Sequence, residues 1–331
     1  MKATTTFRVG FTVAWLGLWA GPGALAGEPA KSPLVLQLDW RLNAQFAGPL
    51  LAEARGLYRE AGVAVEIRPL GELVYERLAR TVAETEGMIG SIEGGLFLSG
   101  RAEGLSIVAI GTMFQASSLG LISLESAGIA GPADLAGKHV SIHDDGHEAL
   151  DTVLFAAGLD RTKVRVSVSG YGMAGLLAGE YDAKQGYLVD EYVKLVLGGE
   201  RVRALEYRLH GHRAYSQVYF VSERTLAGRR EELARFLAAS GEGWARAAES
   251  PEETARFLHE RHAPDLPLDY LEASLRRIVL LLTAEQATMG AMLGATWEAQ
   301  VASLEKLRPG TVGRLGPMER WVDFSLIKGA R

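Results

Sequence analysis

No cysteine occurs anywhere in the 331 residues. That absence excludes disulfides, thiolate zinc sites, cysteine nucleophiles and the thiol that a lipid-anchored bacterial N-terminus requires. An excess of base is also missing: 35 Lys and Arg stand against 40 Asp and Glu, a formal charge of −5. A nucleic-acid partner is recognised through phosphate neutralisation, so this balance speaks against one. The longest apolar run, Val9 to Ala20, falls short of the roughly 20 residues that span a bilayer. Catalytic signatures are absent too. There is no Gly-x-Ser-x-Gly elbow, Gly131 to Lys138 is one residue too long for a phosphate loop, and Gly94-Gly95 is no dinucleotide fingerprint. What is present is 48% hydrophobic and 23% charged residues, enough for one large or two medium domains with a real core.

The first thirty residues differ from the rest. Lys2 and Arg8 are the only charges before Glu28, the apolar run carries Phe11, Trp15, Leu16 and Trp19, and Gly21-Pro22-Gly23 breaks it. Ala24-Leu25-Ala26 then offers small side chains where a signal peptidase reads. Residues 1–26 are therefore expected to be a secretory signal peptide, and the mature protein to be periplasmic.

From Leu34 onward, short apolar segments alternate with helix-period segments. Strands are expected at Leu34–Asp39, Val63–Ile67, Met88–Ser91 and Leu105–Ile110, and helices at Ala47–Ala61, Glu72–Glu84 and Gly94–Arg101. Such a βαβ series means a sheet covered on both faces by helices. After Gly111 the rhythm changes. Strands at Leu119–Leu124 and Ala214–Ser222 bracket a second unit with strands at His139–Ile142, Val164–Val168 and Ala183–Val189 and helices at Glu148–Ala157 and Met173–Ala178. Helices follow at Arg229–Ala248, Glu252–His262, Leu268–Leu282 and Thr296–Leu307. An α/β unit inserted into another gives two lobes joined by two crossover strands: residues 32–118 and 217–331 in the first, with the C-terminal helices, and 119–216 in the second. Such a body closes on a ligand by hinge bending.

The stretch Asp39-Trp40-Arg41-Leu42-Asn43-Ala44-Gln45-Phe46-Ala47-Gly48, then Gly56-Leu57-Tyr58 and Ala61-Gly62-Val63, resembles the opening of a bacterial periplasmic solute-binding family. These are ABC-transporter receptors related to thiamine pyrimidine synthase and to sulfonate-binding proteins. Met113-Phe114-Gln115, Ser126-Ala127-Gly128-Ile129, Pro132 to Lys138 and Gly186-Tyr187 to Asp190-Glu191 continue the likeness to about Leu237. The resemblance implies a two-lobed α/β periplasmic-binding fold of type II, ligand held between lobes, and ABC permease and ATPase partners.

Loops at the carboxyl ends of strands line such a cleft. Candidate ligand contacts are Asp39, Trp40, Asn43, Gln45 and Phe46 after the first strand, Glu93 after the third, and Gln115. In the second lobe they are Asp144, Gly146, Tyr171, Tyr187, Asp190 and Glu191. The indole of Trp40 can stack a ring or face a cation, against the alternative of packing a helix onto the sheet. Glu93 and Glu191 offer acceptor pairs that match adjacent N–H groups, as on an aminopyrimidine edge. Asp190 also reads as a helix N-cap, and it stands where the family has Asn. The acidic loop Asp144-Asp145-Gly146 repels anions unless His143 or His147 is protonated, which favours a neutral or cationic ligand. The segment His147-Glu148-Ala149-Leu150-Asp151 half matches a zincin helix but lacks its second His, so no metal or other cofactor is expected.

Two function classes follow. A receptor for a small nitrogen-containing ring, of the thiamine-pyrimidine-precursor kind, needs a cleft, export and transport partners. The related synthases rely on an active-site Lys, a His four residues on and a cysteine-rich motif. The corresponding stretch here, Ser91-Ile92-Glu93-Gly94-Gly95-Leu96-Phe97, has neither Lys nor His, and cysteine is absent. The expectation is a binding protein rather than an enzyme, with a ligand-sensing module for a membrane kinase as a further alternative.

Overall fold

The computed structural model describes residue 1 and residues 32–327, apart from 74 and 285–288; the expected signal peptide lies outside the described residues. The first βαβ series is β1 (Leu34–Gln37), α1 (Ala47–Ala54), α2 (Leu57–Glu60), β2 (Val65–Arg68), α3 (Leu78–Glu84), β3 (Met88–Ile92), α4 (Gly94–Ala102) and β4 (Ile107–Phe114). A second series follows: β5 (Leu119–Leu124), β6 (His139–Ile142), α5 (His147–Ala156), β7 (Arg165–Val168), α6 (Ala174–Leu177), β8 (Ala183–Tyr187), α7 (Glu191–Leu197) and β9 (Val202–Glu206). The chain ends with β10 (Ser216–Ser222), α8 (Glu223–Glu249), α9 (Pro251–Arg261), α10 (Leu268–Leu282), α11 (Gly294–Leu307) and α12 (Thr311–Leu315).

These strands make two mixed sheets of five, the α/β architecture expected from the alternating pattern. The first has the order β2-β1-β3-β10-β4 and the second β7-β6-β8-β5-β9. In each, the βαβ units pair in parallel, and the strand that follows a crossing between sheets runs antiparallel to its neighbours. Thus β10 lies between β3 and β4, and β5 between β8 and β9. The chain crosses once between β4 and β5 and returns between β9 and β10. Every residue of β4 and β10 is buried, as strands covered on both faces should be, including the polar Thr112, Ser216, Gln217 and Ser222.

Helices α1 and α8 cross so closely that only glycine fits at the contact. A Cβ on Gly48 would come within 2.3 Å of the Trp244 ring, and one on Gly243 within 2.1 Å of the Gly48 carbonyl oxygen. On the other face of the first sheet, Phe97, Phe220, Trp297 and Trp321 form an aromatic core, with centroids 5.6–5.8 Å apart between Phe97 and Phe220, Phe97 and Trp297, and Trp297 and Trp321. The C-terminal helices are therefore part of the core rather than an appendage.

Three local expectations change. The helix expected over Ala47–Ala61 breaks after Ala54, because Gly56 turns left-handed at φ 74° and restarts the chain as α2. The strand β9, not expected from the sequence, pairs antiparallel with β5 from Val202 to Glu206. Helix α8 starts at Glu223, capped by the Ser222 hydroxyl accepting from the Thr225 amide, and kinks at Arg229 (φ −134°), so the helix expected from Arg229 is its second, longer part.

Candidate functional site

A cavity of about 280 Å³ opens between the two sheets. From the first sheet, the turn after β1 delivers Asp39 and Trp40, and the end of β3 delivers Glu93. The second sheet contributes Tyr187 and Gln185 from β8, Glu191 from the start of α7, His143 and Asp144 after β6, and Tyr171 after β7.

Two contacts join the sheets across this cavity. The Tyr187 hydroxyl donates to Glu93 Oε1, and the Trp40 and Tyr171 rings meet edge-on at 4.9 Å. Tyr171 also packs on the His143 ring at 4.4 Å. Glu93 accepts further from the Ser216 hydroxyl and, at 3.3 Å, from Ser117. These two serines lie at the two crossings, so the cleft carboxyl is bonded to both connections between the sheets.

Burial dominates the electrostatics. It pushes the Glu93 carboxyl up to about 8, partly offset by the Ser216 hydrogen bond and reinforced by the nearby charges of Asp39 and Asp145. Asp39 rises to about 7 for the same reason, although the Gln217 carboxamide donates to it at 3.3 Å. Glu148 and Glu191 likewise rise to about 7. Burial holds His143 down near 4, with the Lys184 charge adding to the effect, so its ring is neutral at pH 7.

Gln217 is the one non-glycine residue with positive φ, 55°, among the described residues. Its side chain spans the site. The carboxamide oxygen accepts from Ser91 at 2.6 Å, while the nitrogen donates to Asp39 and, at 3.5 Å, to Gln45.

Of the residues expected to touch ligand, Asp39, Trp40, Gln45, Glu93, Asp144, Tyr171, Tyr187, Asp190 and Glu191 line the cavity. Four do not, each for a physical reason. Asn43 caps the short 3-10 turn Ala44–Phe46, accepting from the Gln45 amide at 2.9 Å. Phe46 is fully buried in the first core. Gln115 donates to the Ala291 carbonyl at 2.9 Å and ties a crossing to the segment before α11. Gly146 lies behind the wall, where a Cβ would come within 1.9 Å of Gln185 Oε1.

Asp190 precedes α7 but does not cap it with its side chain. It accepts from the Tyr270 hydroxyl at 2.6 Å and pairs with Lys194 at 2.5 Å, while Ser274 donates to the Val189 carbonyl at 2.5 Å. Helix α10 thus braces the turn that carries Glu191. Glu191 Oε2 accepts from the Tyr187 amide at 2.8 Å. Sequence reasoning passed over Tyr75, Gln185, Glu148, His212 and Arg308 as cavity residues. Gln185 could have been found from the period-two alternation that places it on the same strand face as Tyr187.

The model of the family described as NMT1/THI5 like matches residues 43–254, and the chain belongs to that family. A protein of Haemophilus influenzae named for thiamine biosynthesis is 28% identical over 200 residues, 59% of this chain and 63% of that one, so the match spans less than two thirds of that relative. The 4-amino-5-hydroxymethyl-2-methylpyrimidine phosphate synthase of Legionella pneumophila is 26% identical over 71% of this chain and 75% of its own. The riboflavin-binding protein RibY of Chloroflexus aurantiacus is 25% identical over 73% of this chain and 71% of its own. Among solved structures, the alkanesulfonate-binding protein SsuA of Xanthomonas axonopodis pv. citri, bound to MOPS, superposes with a TM-score of 0.66 at 16% identity, covering 89% of this chain and all (100%) of that one. The fold is that of the periplasmic binding proteins. Among the described residues no helix is long and apolar enough to cross a membrane.

Proposed function

We propose that this chain is the solute-binding receptor of an ABC importer and captures a neutral or cationic nitrogen-containing ring, such as a pyrimidine precursor of thiamine, between its lobes. One observation carries this reading. Among the described residues the cavity wall bears eight carboxyl groups and a single guanidinium, that of Arg308. A sulfonate or phosphate in that field would meet Asp144, Asp145 and Glu148 at the very helix start where anions usually bind. Neutral His143 offers no compensating charge. An aminopyrimidine instead presents N–H groups to carboxyl acceptors and a flat face to Trp40. On this reading the acidic wall, with Asp39, Glu93, Glu148 and Glu191 in part protonated at neutral pH and the remaining acids charged, favours a ring with N–H groups over a sulfonate.

The relative named as a synthase supports a second reading, catalysis on such a pyrimidine. The residues present weigh against it. Where the related synthases place Lys and His, this chain has Ile92-Glu93 running into α4 and then Leu96-Phe97, with Phe97 fully buried in the aromatic core. Export and transport remain the better account of the chain.

The test is a thermal-shift panel on the purified protein. A ligand at 100 times its Kd stabilises the native state by about 2.7 kcal/mol. 4-Amino-5-hydroxymethyl-2-methylpyrimidine is expected to raise Tm, with taurine, MOPS and nitrate inert. Stabilisation by the sulfonates alone would overturn the ligand class. Conversion of the pyrimidine to a new product during incubation would favour the synthase reading.

A further inference from the structure

The lobes meet again where Glu93 runs into α4, and a pair of glycines makes that meeting possible. Helix α4 of the first sheet opens on Gly94-Gly95, and Glu148, near the start of α5 in the other lobe, lies against it. A Cβ added to Gly95 would stand 2.7 Å from Glu148 Oε2. Gly94 makes the same room for Gln300 of α11, whose Oε1 would lie 2.9 Å from a Cβ there. Neither glycine has a positive φ, so what each supplies is space.

The side chains at this seat are short of partners. Gln300 is 2% exposed, and neither its Nε2 nor its Oε1 has a hydrogen-bond partner in the protein; Glu148 Oε1 has none either. Folded proteins leave few such atoms, because each has given up water. The two groups are neighbours: the Cβ on Gly95 that would strike Glu148 would also lie 3.7 Å from Gln300 Nε2. They are complementary as well. Burial raises the Glu148 carboxyl to about 7 despite the Arg308 charge, so acid and carboxylate coexist near neutrality. A carboxamide serves both, its N–H donating to the carboxylate and its oxygen accepting from the acid. Further along, α5 and α11 stand apart. A gap of about 220 Å³ lies between Thr152 and Ser303, and Lys306 Nζ sits 5.0 Å over the exposed Phe155 ring.

We infer that Glu148 is an interlobe latch: its carboxyl docks on Gly95 beside the Gln300 carboxamide and so sets how readily the two lobes close. Glu148 is then a positioning residue, acting through the lobes rather than on the ligand. This role goes beyond the receptor reading and holds whatever molecule enters the cavity. It also gives Gly95 a purpose, since a larger residue there would hold the lobes apart.

The experiment is small-angle scattering of the purified, ligand-free protein at pH 7, with thermal unfolding run alongside. Glu148→Ala should raise the radius of gyration while unfolding stays cooperative. Glu148→Gln should keep the unaltered radius, because a second carboxamide can pair with Gln300 through both its N–H and its oxygen. Gly95→Val blocks the seat with the carboxyl intact and should open the lobes as Glu148→Ala does. The double variant should be no more open than either single one, since both remove the same contact. If Gly95→Val does not fold, Glu148→Ala and Glu148→Gln still decide. Scattering from Glu148→Ala that superimposes on that of the unaltered protein would overturn the latch. So would equal opening in Glu148→Ala and Glu148→Gln, or a folded Gly95→Val with an unchanged radius. The receptor reading stands in each case, because no ligand enters these measurements.

Discussion

The Tyr187 hydroxyl, at the end of a strand in one sheet, donates to the Glu93 carboxyl at the end of a strand in the other. Because Glu93 also accepts from serines at both crossings, this bond links the mouth of the cavity to the segments about which the lobes would bend. Removing the hydroxyl in Tyr187→Phe should cost about 1 kcal/mol of interlobe contact and leave each lobe intact. The ligand-free variant is expected to show a larger radius of gyration by small-angle scattering than the unaltered protein. Superimposable curves would mean that the contact does not hold the lobes together.

The buried acids set a pH dependence whose sign can be worked out. In the unfolded chain the Glu93 carboxyl titrates at its ordinary 4.5, and in the folded chain near 8. Between those values the folded state holds more protons than the unfolded one, so this group's stabilising contribution is full below 4.5 and is lost as pH rises through 8. Asp39, Glu148 and Glu191, raised to about 7, act in the same direction. His143 and His212, both lowered to about 4, oppose them only below the ordinary imidazole value of 6.5. The clean window is therefore pH 6.5 to 8. The Tm of the ligand-free protein should fall across it, and Glu93→Gln should flatten the fall. A Tm that climbs over this range would contradict the burial of these acids.

Much of this arrangement was legible before any coordinates, and the exceptions have physical causes. The βαβ rhythm survives because the central strands β3 and β4 are mostly apolar buried runs, while the edge strand β2 still shows a period-two alternation. Strand β9 escaped because it is an edge strand in which exposed Arg203 and part-buried Glu206 interrupt the apolar pattern. Trp40, Glu93 and Glu191 were found because they follow strand ends, where clefts form. Arg308 was not, since it follows α11, and only the aromatic packing around Trp297 folds that helix back to the cavity region. Phe46 and Gln115 show the converse: a position next to a cleft does not decide which way a side chain points.

Gln217 keeps a left-handed backbone in a strand, which costs a non-glycine residue of order 1–3 kcal/mol. Its carboxamide holds Asp39, Gln45 and Ser91 in register, a return on that strain that matters only if Asp39 meets ligand. Comparing Gln217→Gly with Gln217→Ala separates the two effects. Both lack the carboxamide and should lose affinity alike, about ten-fold. The glycine variant alone is free of strain, so its denaturant midpoint should correspond to about 1 kcal/mol more stability than the alanine variant. Equal stability would remove the strain argument, and unaltered affinity would remove the positioning role.

Trp40 and Glu191 stand on opposite sides of the cavity, and the proposed ligand is gripped only when both reach it. Trp40 is half-buried, packs in part against the first core, meets Tyr171 in a T-shaped contact and has the Arg41 guanidinium over its ring at 5.8 Å, so a stacked ligand would take the place of one of these neighbours. Trp40→Ala should lose stacking worth about 1–3 kcal/mol of binding, by analogy with base–aromatic contacts. In Glu191 one oxygen is occupied by the Tyr187 amide, so the other is the one available to ligand. In Glu191→Gln the amide oxygen must keep facing that backbone N–H, which turns the new NH₂ toward the ligand's own donor. Because burial raises Glu191 to about 7, the cost at pH 8 and above is expected to be that of a hydrogen bond to a charged group, roughly 1.5–3 kcal/mol, and less at lower pH. Because the two side chains grip different parts of one ligand, the double variant should lose at least the sum, and thermal unfolding of the ligand-free single variants should remain cooperative. If Trp40→Ala unfolds the protein while Glu191→Gln binds normally, Trp40 is a packing residue, Glu191 serves only its own strand end, and the ring must sit elsewhere in the cavity.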